Sequence, residues 1–332
     1  MRPDLRQTGE RGAALLTVLM LVAVIAVIAG TALERLTLTT RLTSNAVAGQ
    51  AAEGFARAAE TLALTRIDSL LGQSRDRVTL AGGWSGQPFG LPLPRGGFAV
   101  ARVSDGGNCF NLNGLVTQGQ VGVYASNPLA RAQFARLIRL VGGPAAGVGD
   151  QIAAAAADWI DTDPDQQAGG AEDGSYLSLQ TPYRTAGTLM ADASELRAVQ
   201  GVTVELYDHL RPWLCTLPRA ELATINLNTL TPEQAPLLAM QLPDTLSVEG
   251  ARQLILRRPP QGWATIDAFQ NAANQAGVTT GFGEGGQIAV TTKWFALRID
   301  VTAGGAQRTE RALIDATRLP AQLVSRQWGE GI

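Results

Sequence analysis

The sequence predicts an α+β fold in which a long N-terminal helix packs on an antiparallel sheet, with a large, mostly helical domain inserted between the strands. Residues 13 to 71 contain no proline, and their apolar positions recur at helical spacing. Residues 98 to 104 alternate as a strand does, and residues 294 to 315 form two alternating runs around Gly304 and Gly305, which predicts a hairpin. Residues 72 to 97 are rich in glycine and proline and predict a loop, and residues 109 to 113 are predicted to return beside residues 98 to 104 as a second strand. Between about residues 117 and 286 the pattern is helical, so the strands enclose a helical unit. The helices are predicted at residues 128–141, 149–159, 193–200, 204–210, 232–241, 248–257 and 266–276.

The first part of the long helix is predicted to span a membrane. Residues 13 to 33 are uncharged and mostly apolar, and at about 1.5 Å rise per residue a helix of this length crosses the ~30 Å hydrocarbon layer. Arginines outnumber acidic residues in residues 1 to 12, which favours a cytoplasmic N-terminus. We therefore expect a single-pass protein of the bacterial inner membrane with its C-terminal head in the periplasm.

A glycine marks the junction between this basic leader and the apolar helix. An ordinary secretory signal has a shorter apolar core and is removed after a small-residue site, whereas here the helix continues into the rest of the chain. The junction Arg11-Gly12-Ala13 is that of a prepilin peptidase substrate and predicts cleavage between Gly12 and Ala13. A plain single-pass anchor is the alternative.

After Leu33 the helix becomes amphipathic, because charged residues now interrupt the apolar positions. A helix that is apolar all round and then amphipathic lies first in lipid and then on a folded head. This architecture is typical of a type IV pilin-like subunit. The predicted parts are a leader at 1–12, a transmembrane segment at 13–33, a pilin-like domain at 34–116 and 287–318, and the inserted helical domain at 117–286.

The composition limits the classes of partner. The chain has 332 residues, a formal net charge of −2 and a pI near 5.6, whereas electrostatic capture of nucleic acid needs a basic face. The two cysteines, Cys109 and Cys215, predict a disulfide, because an exported protein folds under oxidising conditions. Two unpaired buried thiols are the alternative.

The richest polar stretch extends from Asp158 to Tyr176 and contains no lysine or arginine. Clustered carboxylates repel one another unless a cation neutralises them, and calcium accepts six to eight oxygen ligands. The odd-position spacing resembles an EF-hand loop, although no glycine follows at loop position 6. The predicted site is therefore a calcium loop of another type, and a solvated acidic loop is the alternative. The candidate ligands are Asp161, Asp163, Asp165, Glu172 and Asp173.

Two segments, residues 194 to 210 and 225 to 235, resemble a helix-hairpin-helix, a motif that in many proteins holds the DNA backbone. No lysine or arginine flanks the turn of the first segment, and phosphate binding normally depends on such residues. We therefore expect a structural or protein-binding module, with a DNA-binding competence-type pilin as the alternative. The single histidine, His209, lacks a nucleophile motif at recognisable spacing, so we expect no enzyme.

In combination these motifs resemble the general secretion pathway protein K family, the large minor pseudopilin of the bacterial type II secretion system. The resemblance rests on the leader junction, the acidic stretch, the segment 194–203 and Asn226-Leu227-Asn228-Thr229. It implies a pilin fold with a helical insertion, calcium in the acidic loop and a place at the pseudopilus tip. The implied partners are minor pseudopilins I and J, possibly H and the major pseudopilin, the inner-membrane assembly platform and the prepilin peptidase, without nucleic acid.

Thr17 departs from the pilin pattern in a way that fits this family. Most pilin-like subunits carry a glutamate at the fifth position after the cleavage site, where it neutralises the N-terminal amine of a neighbouring subunit in the membrane. An unpaired charge in lipid is costly, so that glutamate draws a new subunit under the one above it. A subunit that enters first has nothing above it, and Thr17 is therefore predicted to be a tip-specific position.

Overall fold

The structure is a computed structural model that describes residues 7–94, 97–242, 245–278 and 287–329. The helices are α1 (Gln7–Gln73), α2 (Pro128–Val141), α3 (Gly149–Ile160), α4 (Asp173–Leu177), α5 (Val204–Leu210), α6 (Ala235–Ala239), α7 (Val248–Leu256) and α8 (Ile266–Gln275). The strands are β1 (Pro88–Leu93), β2 (Gly97–Asp105), β3 (Phe110–Asn111), β4 (Val116–Gln118), β5 (Tyr124–Ser126), β6 (Leu214–Cys215), β7 (Ile225–Asn226), β8 (Ile288–Ala289), β9 (Trp294–Ala303), β10 (Ala306–Asp315) and β11 (Gln322–Trp328).

The helix α1 is continuous, as the proline-free sequence predicted. Its apolar part has a mean hydropathy of 2.8 over 18 residues and is not buried, so it is long and apolar enough to cross a membrane. Farther along, Ala52, Ala56, Ala59 and Ala63 are fully buried against the sheet. Their spacing places them on one helix face, and their small side chains let α1 lie close to the strands.

The main sheet has five antiparallel strands in the order β1-β2-β9-β10-β11. One face is apolar and packs on α1, with Phe295, Leu297, Ile299 and Val301 buried in the core. The predicted hairpin over residues 294 to 315 is confirmed as β9 and β10. The strand β11 lies beyond residue 318, where the predicted sheet ended. The α+β, pilin-like fold predicted from the sequence is confirmed by this arrangement.

Two local predictions were wrong. Residues 72 to 97 were predicted as a loop, but they contain β1, whose Pro88 and Pro92 are tolerated because β1 is at the edge of the sheet. Residues 109 to 113 were predicted to return beside residues 98 to 104. Instead β3 pairs in parallel with the distant β6, and β2 lies between β1 and β9.

A group of three charged side chains ties α1 to the far edge of the sheet. Arg326 on β11 donates to Glu60 of α1, with an Nη2–Oε2 distance of 2.7 Å. Glu310 on β10 is fully buried, and its Oε1 lies 3.5 Å from Nε of Arg326. Burial and the neighbouring Glu60 raise the pKa of Glu310 to about 8. One arginine therefore faces two carboxyl groups, so a proton held by Glu310 balances the charge.

The inserted domain has a core of its own, formed by α2, α3, α5, α6, α7 and α8. The predicted helices at residues 128–141 and 204–210 agree with α2 and α5 at both ends. Phe110, Leu112 and Leu115, which precede the predicted domain boundary at residue 117, are buried in this core. The connection to the sheet is therefore made by the chain on either side of the helices and not by a flexible linker.

A half-buried carboxylate lies where the two parts of the head meet. Asp105, at the end of β2, accepts hydrogen bonds from the hydroxyls of Thr229 (2.6 Å) and Thr292 (2.8 Å) and from the amide of Gly107 (2.9 Å). Burial raises its pKa. The Asn226 amide group donates to the Val78 carbonyl at 3.1 Å. The polar motif Asn226-Leu-Asn-Thr229 therefore fastens the inserted domain to the sheet.

Candidate functional site

The predicted calcium loop begins where α3 ends. This helix is rich in alanine and almost wholly buried, so its last turn is held inside the inserted domain. Asp161 caps the helix in an extended conformation, with φ −68° and ψ 171°. The C-terminus of a helix carries partial negative charge. A carboxylate at this position is therefore unfavourable unless positive charge lies nearby.

Asp161 is the most strongly confined of the candidate ligands. Its side chain is 2% exposed, and neither carboxylate oxygen accepts a hydrogen bond within the part of the chain that the structure describes. Burial raises the pKa of Asp161 to about 7, and the charges of Asp163, Asp158 and Glu172 act in the same direction. The carboxylate thus has oxygens to offer and too little compensation for its charge.

Glu172 reaches the same region from the start of α4. Its Oε1 is buried and has no hydrogen-bond partner among the described residues. Burial, followed by the charge of Asp158, raises the pKa of Glu172 to about 7. Asp161 and Glu172 come from opposite ends of the loop, and burial in the same region disfavours the charged form of both carboxyl groups.

Asp158 belongs to this cluster, although it was not among the predicted ligands. Its side chain is fully buried on the last turn of α3, and burial raises its pKa. It accepts a hydrogen bond from the Gln167 amide at 3.2 Å. A Cβ on Gly170 would lie 2.0 Å from an Asp158 oxygen, so only glycine fits at that position. The position of Asp158 three residues before Asp161, on the turn that ends α3, was the available sequence signal.

The other three candidate ligands differ from Asp161 and Glu172 in exposure and in hydrogen bonding. Asp163 and Asp165 are exposed, and the Asp165 amide donates to an Asp163 carboxylate oxygen at 3.0 Å. Asp173 faces another way: the Thr185 amide and hydroxyl donate to it at 3.0 and 3.1 Å, and Arg184 forms an ion pair with it. The Thr185 amide and these other contacts lower the pKa of Asp173. Asp173 is therefore neutralised within the protein.

The structure thus places Asp161, Glu172 and Asp163 near one another and adds Asp158. Asp173 is also close enough to act on Glu172, but its own carboxylate is engaged by Thr185 and Arg184. Within the described ranges, no three His, Cys, Asp or Glu side chains already surround a common point at ligand distance. The loop is held in place, because the Thr162 amide donates to the Tyr124 carbonyl at 3.1 Å. Calcium binding at this loop stays a prediction.

The predicted disulfide between Cys109 and Cys215 is confirmed. The two Cα atoms are 5.8 Å apart, and the bond closes a loop of 106 residues. In the chain-entropy description a loop of about 100 residues contributes up to about 4.7 kcal/mol by restricting the unfolded chain. Because β3 pairs with β6 beside these cysteines, the bond joins the start of the inserted domain to its middle.

Comparison with known families and proteins identifies the family to which this chain belongs. Residues 108–219 match one family model and residues 225–291 match a second, and both are described as type II secretion system protein K. The chain is 34% identical to the type II secretion system protein K of Pectobacterium carotovorum subsp. carotovorum, over 96% of this chain and 97% of that protein. The chain belongs to the type II secretion system protein K family. The family resemblance predicted from the motifs is confirmed.

Other K-family proteins are similar along nearly the whole chain. The protein from Klebsiella pneumoniae is 31% identical over 96% of this chain and 97% of its own length. Among the solved structures, the chain is similar to a chain of the GspK-GspI-GspJ complex from the enterotoxigenic Escherichia coli type 2 secretion system. It has a TM-score of 0.69, an identity of 30%, and coverage of 85% of this chain and 97% of that chain.

The residues that relate this K-family chain to pilins lie on α1. Gly12 and Ala13 are both within the helix, and cleavage between them stays a prediction. Thr17 is exposed, and its hydroxyl donates to the Ala14 carbonyl of the same helix at 2.8 Å. Its polar atom is thus satisfied without a neighbour, which allows Thr17 to lie in lipid at little cost.

The histidine considered for catalysis lies on the surface of α5. Its Nδ1 is 2.6 Å from the Glu205 carbonyl one turn earlier in the same helix. His209 is exposed, and the ring contact is local to the helix. The expectation that the chain is not an enzyme stays a prediction.

Proposed function

We propose that this chain is a minor pseudopilin that caps the periplasmic pseudopilus and helps to initiate it, so that folded proteins are exported across the outer membrane. The observation that supports this most is the match to a chain of the GspK-GspI-GspJ complex across 97% of that chain. By this similarity, minor pseudopilins I and J are the proposed partners. Pseudopilin H, the major pseudopilin and the inner-membrane assembly platform are proposed as further contacts.

The shape of the molecule suits a tip subunit. The apolar part of α1 is entirely exposed and offers a helical surface to the helices of other subunits. The head carries the inserted domain in addition to the pilin-like sheet, so it is wider than a sheet on a helix. A wide head hinders a further subunit from stacking above it, and it faces the periplasm when the basic N-terminus stays in the cytoplasm.

The N-terminal residues support the same proposal. Prepilin peptidase is proposed to cleave between Gly12 and Ala13 and so to free the N-terminus for assembly. Thr17 brings no charge into the membrane, and its hydroxyl is bonded within α1. A first subunit has no subunit above it to pair with a buried carboxylate, and Thr17 avoids that unpaired charge.

Calcium is the proposed cofactor of the acidic loop. The unpartnered oxygens of Asp161 and Glu172 fit a hard cation, with Asp158 and Asp163 close enough to raise their pKa values. These four residues are the proposed ligands, and Asp165 and Asp173 are less well placed for this role. Arg131 acts to lower the pKa of Asp158 and Asp161 but does not offset the effect of their burial. The ion would supply further positive charge and would hold the loop on the end of α3.

Deletion and complementation test the proposed function. We expect that removing the gene stops secretion and reduces the number of pseudopili, and that the full chain restores both. The variant Gly12→Ala tests the leader at the same time, since it should leave an uncut protein that does not complement. Unchanged secretion and assembly after deletion would contradict the proposal.

A further inference from the structure

The hairpin formed by β4 and β5 (residues 116–126) extends from the inserted domain beside the acidic loop. Each strand has three residues, and residues 119–123 connect them. Residues 117–123 are all exposed, and Val121 at the tip is 97% exposed. A two-stranded hairpin on its own is marginally stable in water. The β4–β5 hairpin therefore depends on support from the rest of the domain.

Tyr124, the first residue of β5, receives this support from the acidic loop. The Thr162 amide and the Thr162 hydroxyl both donate to the Tyr124 carbonyl at 3.1 Å. The Tyr124 amide in turn donates to the Thr162 hydroxyl at 3.1 Å. The Tyr124 side chain also packs at the edge of the inserted-domain core. Three hydrogen bonds thus connect one residue of the hairpin to one residue of the loop.

Thr162 lies between two of the proposed calcium ligands. Asp161 precedes it, and neither oxygen of that buried carboxylate has a hydrogen-bond partner anywhere in the described portion of the chain. Asp163 follows it and is exposed. Because the Thr162 hydroxyl is engaged by Tyr124, this threonine links the loop to the hairpin without being a proposed ligand itself.

Repulsion within the acidic loop acts on this link. The charges of three neighbouring carboxylates act unfavourably on Asp161, and Arg131 offsets part of their effect. Like charges that share a partly buried site repel more strongly than they do in water. Any displacement of Asp161 or Asp163 also moves Thr162, since the three are consecutive in the chain. A shift of about 0.5 Å takes contacts of 3.1 Å beyond hydrogen-bond distance.

We propose that the net charge of the acidic loop controls the order of the β4–β5 hairpin through Thr162. When the loop is neutralised, Thr162 stays in place, and the hairpin holds its exposed tip in one orientation. When the charge is unbalanced, the three hydrogen bonds weaken and the hairpin opens more often. The choice of calcium as the neutralising ion rests on the proposed function, whereas the link through Thr162 does not.

Hydrogen–deuterium exchange of the full chain in detergent tests this link, with mass spectrometry of peptides that cover residues 116–126. In the wild type, calcium should slow the exchange of the hairpin amides by about 2- to 10-fold relative to chelator, the range expected for ordinary hydrogen bonds. Asp161→Asn should slow the exchange similarly in chelator, because it removes charge from the loop without any ion. Asp208→Asn, an exposed aspartate on α5, is the matched control and should exchange like the wild type.

Thr162→Val tests the route of the effect. It removes the hydroxyl and with it two of the three hydrogen bonds, so calcium and Asp161→Asn should both lose most of their effect on the hairpin. Thr162→Ser keeps the hydroxyl and should behave like the wild type. Thr216→Val is the matched control, because the Thr216 hydroxyl also bonds to the carbonyl of a separate segment, at 3.2 Å, and lies outside the loop and the hairpin.

Unchanged hairpin exchange in Asp161→Asn would overturn the proposal, and this comparison stays valid if Thr162→Val fails to fold. An equal response to calcium in Thr162→Val and the wild type would overturn it too. Calorimetric titration with calcium separates the link from the proposed cofactor. Calcium binding without any change in the hairpin would leave the calcium site standing and overturn the link. No calcium binding, together with slower exchange in Asp161→Asn, would support the link and contradict calcium as the cofactor.

Discussion

The calcium proposal can be tested by replacing the buried Asp161, because the resulting change in stability should have opposite signs without and with calcium. Replacing it by asparagine keeps the shape and removes the charge. Without calcium this should stabilise the protein, because a buried and unpartnered charge is removed. With calcium it should destabilise the protein relative to wild type, because a ligand oxygen is exchanged for a weaker one. Replacing a residue that had only a packing role would change the stability in the same direction without and with calcium.

The magnitudes follow from the site. An unsatisfied buried polar group costs about 1 to 3 kcal/mol and a charged group more. Asparagine keeps a polar group but removes the charge, so Asp161→Asn should gain about 1 kcal/mol in chelator. Calcium at a hundredfold excess over its Kd adds about 2.7 kcal/mol to the wild type, and the variant should lose most of this gain. For a head of this size about 1 kcal/mol corresponds to roughly 2 to 4 °C in Tm. The variant should therefore melt above the wild type in chelator and below it in calcium.

Thermal denaturation of the full chain in detergent, followed by circular dichroism in chelator and in calcium, measures this exchange. Asp208→Asn, an exposed aspartate on α5, is the matched control and should melt like the wild type in both. If the wild type melts identically with and without calcium, the loop binds no calcium. If Asp161→Asn melts lower than the wild type in chelator, the account of the buried charge is wrong.

Three further outcomes are expected. The Glu310 carboxyl holds its proton to about pH 8 in the folded chain and to about 4.5 when exposed, so the folded state binds more protons between these values and loses stability as pH rises through them. Glu310→Gln should therefore raise Tm at about pH 9 and change it little near pH 5; parallel pH profiles for wild type and variant would disprove this. Reduction of the Cys109–Cys215 bond should lower stability by up to about 4.7 kcal/mol, seen as a lower Tm in reductant, and an unchanged Tm would show that the closed loop adds nothing. Thr17→Ala should secrete like the wild type, since that hydroxyl bonds within its own helix, whereas Thr17→Glu should reduce secretion by placing an unpaired charge in lipid; equal secretion by the two variants would contradict the role of this position.

Much of the fold could be predicted because it depends on local patterns. The absence of proline over residues 13 to 71 predicted α1, and alternation around Gly304 and Gly305 predicted β9 and β10. Strand β1 was missed because its prolines are typical of loops, and only its place at the sheet edge makes them acceptable. Such information is absent from the segment itself.

The acidic loop shows the same limit. The sequence showed a run of carboxylates without a basic residue from Asp158 to Tyr176, and this correctly marked an unbalanced charge. It could not show that Asp173 pairs with Arg184, eight residues beyond that window, or that Asp158 is buried on the last turn of α3. Which carboxylates share a site depends on how the loop folds back, and composition does not contain that information.

The central claim is that this K-family chain occupies the tip of the pseudopilus. Immunogold labelling of sheared pseudopili, with an antibody against an epitope tag on the head, tests it most directly. We expect gold at one end of each filament and none along the shaft. Gold distributed along the shaft would show that the chain is incorporated throughout the filament and would contradict the claim.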